Sequence, residues 1–255
     1  MKNMVVKFFL AGLIVICTNY NSFSQTSFVE SQRSLAKIAD VFNRREDSLK
    51  KEFEAKKINW PPRALYIRSF KYDQLMEIWV KGDEKKPFRL FKTYAICMPS
   101  GITGPKRMEG DLQIPEGFYY INEFNPNSNY HLSLGLNYPN ASDQLLSDSL
   151  HPGGEIYIHG NCVSVGCLAI TDPKIEELYI MAAYAKTSGQ DFIPVHVFPV
   201  KYNEPNSMDY LARMTKDNQP LQKFAVNLKE AFDYFEEKKK LPVILINRKG
   251  QYIIN

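Results

Sequence analysis

The chain has 255 residues, of which 44% are hydrophobic and 24% charged, a length and composition that suit one globular domain with appendages, or two small ones, and exclude a disordered or low-complexity chain. The formal charge of +4 drops to +2 without residues 1–24, which hold Lys2 and Lys7 and no acid. That surplus is too small to argue for a nucleic-acid partner.

In chain order, the first segment reads as a leader. Lys2 and Lys7 precede an apolar run over 8–17, too short for a membrane span, and Ser22-Phe23-Ser24 supplies small residues before a cleavage point at Gln25. The expectation is a signal peptide over 1–24 and an exported protein, in the periplasm or cell envelope, with no stable membrane span after cleavage. An uncleaved anchor is the alternative; a lipid on Cys17 is disfavoured by the bulky Ile16 before it.

Residues 25–62 form the next unit. Leu35, Ile38, Phe42, Leu49 and Phe53 recur at helical spacing and predict an amphipathic helix over 30–57, stopped by Pro61-Pro62. One docking stripe under a solvated face is preferred to a membrane spacer. Residues 63–200 read as a mostly-β domain, with strands over 64–70, 74–80, 88–98, 117–123, 155–159, 167–170 and 192–198. Long loops rich in Gly, Pro, Asn and Ser fill 99–115 and 125–153, and loops of that size usually line a site. Asp172-Pro173 reads as an N-cap followed by proline at the first position of a helix reaching about residue 186. Residues 201–255 are a helical extension, 207–215 and 220–240, closed by a short hairpin over 243–246 and 252–254. This tail is expected to cap the domain without chemistry of its own.

One constellation carries chemistry. A strand ends at His159-Gly160, and Cys167 follows Ser164-Val165-Gly166 at the start of the next strand. Histidine and cysteine at facing strand ends can form a couple in which imidazole takes the thiol proton and the sulfur attacks. Gly166 lets backbone approach a substrate carbonyl, and the N–H groups of Gly166 and Cys167 are candidate oxyanion donors. A structural cysteine beside a packed histidine is the alternative. His196, inside an apolar run, reads as a packed strand residue.

With His159-Gly160 and Ser164-Val165-Gly166-Cys167 in place, the segment resembles the active-site motif of L,D-transpeptidases of the YkuD type. Tyr94-Ala95-Ile96-Cys97, Gly104-Pro105-Lys106 with Glu109-Gly110-Asp111, Gln113, Pro115-Glu116-Gly117-Phe118-Tyr119, Asn125-Pro126-Asn127-Ser128 and Tyr138-Pro139-Asn140-Ala141 resemble its YafK-like subgroup. The resemblance spans roughly 63–200. It implies a β-sandwich or barrel catalytic domain acting on peptidoglycan stem peptides through a Cys167 thioester. His159 is then the general base, with Gly160, Ser164 and Gly166 shaping the loop, and no cofactor or metal is implied. Transpeptidation resolves the thioester with an amine. The subgroup also implies hydrolysis, as a carboxypeptidase or as an amidase releasing a peptidoglycan-attached protein. A catalytically inert peptidoglycan-binding module is the reading from a different class.

Departures from the wider family are the short gap between His-Gly and the cysteine motif, Val165 where many members carry His or Arg, and Ala169 where many carry Arg or Asn. Lys106, Arg107 and His151 are candidate substrate contacts. Without Cys17, three cysteines remain, so at least one thiol is unpaired in an oxidising compartment. A Cys97–Cys162 disulfide would leave Cys167 free. A zinc site from His159, Cys162 and Cys167 lacks an evident fourth ligand.

Overall fold

Strands β1 (Ala64–Phe70), β2 (Leu75–Lys81) and β3 (Arg89–Ala95) form an antiparallel meander in a computed structural model that describes residues 26–255. The leader expected over 1–24 lies outside the described residues. β1 shows no polar alternation because both its faces are covered: Leu65 and Ile67 enter one hydrophobic cluster, Phe70 and Tyr66 two others. Its free edge takes β8 (Ile193–Phe198) in parallel, and β8 pairs antiparallel with β4 (Gly117–Asn125). His196 on β8 is buried and hydrogen-bonded to Tyr66 Oη at 2.8 Å; burial, with the nearby Arg68 charge, holds its pKa down to about 3.

β5 (Ser133–Leu136), β6 (Tyr157–His159) and β7 (Leu168–Ala169) complete one eight-stranded sheet in the order β3-β2-β1-β8-β4-β5-β6-β7. The sheet curls until its edges meet. Met98, just past β3, bridges to Ala169 on β7, and the Cys97 N–H donates to the Ala169 carbonyl at 3.0 Å. The expected mostly-β domain thus takes the form of a single curled sheet with flanking helices. The stretch 125–153 is not all loop: it holds β5 and α3 (Ala141–Leu146), whose Asn140 and Asp143 form a capping box.

Helix α4 (Asp172–Thr187) sits inside this curl. Ile175, Leu178, Tyr179, Ile180, Met181, Ala182, Ala183 and Ala185 are all inaccessible, and a helix apolar on all sides needs cover on all sides. The sheet gives part of it; α1 (Phe28–Arg33) and α2 (Ala36–Ala55) give the rest. The single helix expected over 30–57 is therefore two, because Leu35 turns extended (φ −84°, ψ 121°) at the start of α2. Arg44 and Arg45 each reach Glu176 on α4 at 2.6 Å. These contacts make the segment part of the domain.

On the opposite face of the sheet lie α5 (Pro205–Thr215) and α6 (Gln219–Lys238). Leu228, Ala231 and Phe232 pack with Phe70, Phe118 and Phe198, each buried aromatic contributing roughly 1.5–3 kcal/mol. The hairpin β9 (Ile244–Ile246) and β10 (Tyr252–Ile254) folds back so that Tyr252 meets Phe118 edge-on at 4.7 Å. No helix among the described residues is long and apolar enough to cross a membrane.

Candidate active site

β6 and β7 are parallel neighbours, with His159 level with Ala169. Cys167 immediately precedes β7, so the pairing brings the residue before that strand near the β6 end that carries His159. The His159 Nδ1 lies 2.6 Å from the Gly160 carbonyl oxygen, and the Tyr130 ring covers the imidazole at 4.7 Å between centroids. The side chain is buried, which lowers its pKa; the Gly160 hydrogen bond opposes that shift.

Gly160 is required by space. A Cβ there would lie 2.5 Å from Asp172 Oδ1 and 3.0 Å from the Tyr130 carbonyl. Asp172 is not the cap of α4, as its sequence position suggested; Thr171 takes that place, and the Asp172 carboxylate accepts the Asn161 N–H at 2.7 Å. It thereby ties the chain leaving His159 to the start of α4.

The loop 160–167 is closed by two contacts. Ser164 Oγ accepts the Cys167 N–H at 3.0 Å and donates to the Cys167 carbonyl at 2.7 Å. A disulfide joins Cys97 to Cys162, with Cα atoms 5.5 Å apart, and Cys167 is the free cysteine among the described residues. Cys162 is thus unavailable as a zinc ligand. Gly166 turns at φ +118°, with the Gln113 carbonyl 3.2 Å from where a Cβ would stand. The expectation of two oxyanion donors needs correction. The Cys167 N–H is committed to Ser164 in this arrangement, which leaves the Gly166 N–H.

The Cys167 Sγ lies 3.6 Å from the Glu155 carbonyl oxygen. Burial pushes the thiol pKa up and the Glu155 charge adds to it, while the Tyr157 N–H and the Lys106 charge pull the other way. Raised thiol and lowered imidazole together describe a neutral resting pair.

Cys167 opens onto a cleft of about 420 Å³ whose wall includes Lys106, Glu109, His151, Glu155 and Val165. His159 is not part of that wall. Of the expected substrate contacts, His151 lines the cleft. Lys106 also lines it, but its ammonium is already held by Asp111 Oδ1 at 2.6 Å and the Met108 carbonyl at 2.9 Å. Arg107 does not face the cleft; it pairs with Asp143 at 3.2 Å and borders a different cavity. A residue and its successor in extended chain point to opposite sides, which separates the two.

Two anchors of this loop have no local signature in sequence. Asp111 accepts the N–H groups of Arg107, Met108 and Gln113 as well as Lys106. Lys71, on the turn after β1, is buried and donates to the carbonyls of Gly104 and Ile114 at 3.0 and 2.9 Å, with Glu116 at 3.1 Å. Glu116 in turn accepts the Gly104 N–H at 2.7 Å.

Comparison with known proteins finds relatives of this chain. The pattern of the L,D-transpeptidase catalytic domain (YkuD) matches residues 66–223. The Escherichia coli K12 protein named "Putative L,D-transpeptidase YafK" is 33% identical over 193 residues, which is 75% of this chain and 74% of the relative. The same figures hold for its counterpart in Escherichia coli O157:H7. Among solved structures, the helical cell shape determining protein Pgp2 of Campylobacter jejuni aligns at TM-score 0.42 and 19% identity, over 77% of this chain and 80% of that one.

Proposed function

Because the chain belongs to the L,D-transpeptidase catalytic-domain family, we propose that it acts on peptidoglycan stem peptides through a thioester on Cys167, with His159 as general base. The observation that carries this reading is the lock on His159. A carbonyl can only accept, so Nδ1 bears the proton and Nε2 keeps the lone pair that the proposed base needs. As Sγ attacks the scissile carbonyl, Nε2 takes the thiol proton, and the Gly166 N–H is the proposed donor to the developing oxyanion. Collapse of the tetrahedral species breaks the C–N bond, and the proton passes from His159 to the departing amine. An acceptor amine, or water, then attacks the thioester by the reverse proton path. The Cys97–Cys162 bridge supports a protein working in an oxidising compartment outside the cytoplasmic membrane.

The test is incubation with disaccharide tetrapeptide followed by mass analysis. Wild type forms crosslinked dimers if an amine resolves the thioester and tripeptides if water does; release of a lysine adduct from protein-bearing peptidoglycan marks the amidase outcome. Val165, 72% exposed on the cleft wall, and Ala169, inaccessible in the β7 seam, bring no polar group to an acceptor, which favours water. Cys167→Ala keeps the fold and loses all three products. Full activity in that variant would end the proposal, and an inert module would give no product from either protein.

A further inference from the structure

A second and larger cavity, of about 900 Å³, lies next to the Cys167 cleft and does not contain it. Three distant segments form most of its wall: residues 103–105 and 107 of the Gly/Pro loop, the start of α6, and the turn and second strand of the β9–β10 hairpin. The hairpin is fixed in place. Ser142 Oγ donates to the Gly250 carbonyl at 2.5 Å, Asn140 Nδ2 to Tyr252 Oη at 2.9 Å, and a Cβ on Gly250 would fall 2.8 Å from Leu146 Cγ.

The charge of this wall is one-sided. Arg107, Lys223 and Lys249 line it and no Asp or Glu does. Among the described residues Lys223 and Lys249, both exposed, have no ion-pair partner. Arg107 is aimed, with Asp143 on one edge at 3.2 Å and its guanidinium 6.0 Å from the centre of the Phe224 ring. With Arg107 already paired to Asp143, Lys223 and Lys249 are the two uncompensated cations on this concavity, and carboxylates are what Lys and forked Arg donors bind. Gln219 and Asn227 add amide groups that can pair with peptide bonds. A sugar would want an open aromatic face, but Arg107 lies over Phe224 and Tyr252 is 5% exposed.

We propose that this cavity is a second binding site, taking an acidic peptide with several free carboxylates. Consecutive loop residues line the two cavities, Lys106 the cleft and Arg107 the larger one, so this loop stands between a peptide seated here and the cleft that Cys167 lines. The tail then has a binding role beyond capping.

The experiment titrates tri-γ-D-glutamate calorimetrically into the full chain carrying Cys167→Ser. Because the sulfur is absent, the result does not depend on Cys167 being the nucleophile. Binding should weaken with added salt. It should weaken by at least about tenfold in Lys223→Ala/Lys249→Ala, while Lys223→Arg/Lys249→Arg retains it. Unchanged thermal melting of both double variants checks the fold. Equal affinity in the Cys167→Ser parent and its alanine variant overturns the proposal, as does no binding at low salt. Tetragalacturonate binding through the same lysines in place of the peptide would overturn the peptide assignment in favour of an acidic glycan.

Discussion

The imidazole Nδ1 of His159 donates to the carbonyl of its own successor, Gly160, at 2.6 Å. The base is therefore oriented by backbone, with no carboxylate partner on the ring to favour imidazolium. Burial lowers the His159 pKa and raises that of Cys167. Both shifts oppose a preformed thiolate–imidazolium pair, so in the proposed mechanism the proton moves when substrate arrives.

A pH profile reads this directly. A lowered imidazole pKa extends the neutral, accepting form to lower pH, and a raised thiol pKa moves the thiolate to higher pH. Alkylation of Cys167 by iodoacetamide should therefore be slow at neutral pH and climb above the ordinary thiol range of about 8.5. Turnover needs only neutral imidazole, so it should rise through a limb below about 6.5 and be flat across neutrality. An alkylation rate already at its plateau at pH 6 would show a resting ion pair.

Ser164 holds both backbone groups of Cys167. Replacing it with alanine removes two hydrogen bonds worth roughly 1 kcal/mol each and frees the loop that presents the sulfur. The expected result for Ser164→Ala is a fall in kcat of about tenfold to a hundredfold. Thermal melting should fall by only a few degrees, the amount those two bonds account for. Tetrapeptide kinetics and a melting curve on the same sample separate the two effects.

How far the sequence exposes this arrangement follows from where each signal is local. His159 and Cys167 sit in one nine-residue segment with glycines and a serine at fixed offsets, so their proximity is readable. β1, β2 and α4 carry long apolar runs of the right length. β5 escapes because Ser133–Leu136 is four residues with a glycine and no alternation. α3 is visible only through the Asn140–Asp143 capping box, a signal present in the sequence and easily lost among turn residues. The partners of Lys106 and Arg107 are tertiary: a basic residue in a polar loop reads as a ligand contact until Asp111 and Asp143 are seen beside it. Lys71 is silent for the same reason, since its acceptors lie more than thirty residues away.

That burial of Lys71 gives a stability prediction. Its ammonium meets two carbonyls and Glu116 in a site closed to water. Lys71→Met strands the Glu116 carboxylate and should cost about 3–5 kcal/mol. Adding Glu116→Gln removes the stranded charge and should recover part of the loss. Urea unfolding of the two single variants and the double variant yields the coupling; additive losses would mean the pair does not act as a unit.

The Cys97–Cys162 disulfide stands where the curled sheet closes. Cys97 follows β3, its N–H is bonded to Ala169 on β7, and Cys162 belongs to the loop between His159 and Cys167. The bridge encloses a sequence separation of 65 residues, for which chain entropy alone gives about 4 kcal/mol of stabilisation as a ceiling. Without it the seam keeps the Met98–Ala169 bridge and the Cys97 N–H bond, so the core packed around α4 has no reason to dissolve. The loss should instead fall first on the geometry of the loop. Cys97→Ser/Cys162→Ser, with Cys167 intact, should melt at lower temperature yet fold, and its kcat should fall more than its melting point implies. Dithiothreitol should bring wild type to the same state and leave the double variant unchanged. If reduced wild type keeps full turnover while its melting temperature drops, the bridge serves stability alone, and the loop holds Cys167 through Ser164 without it.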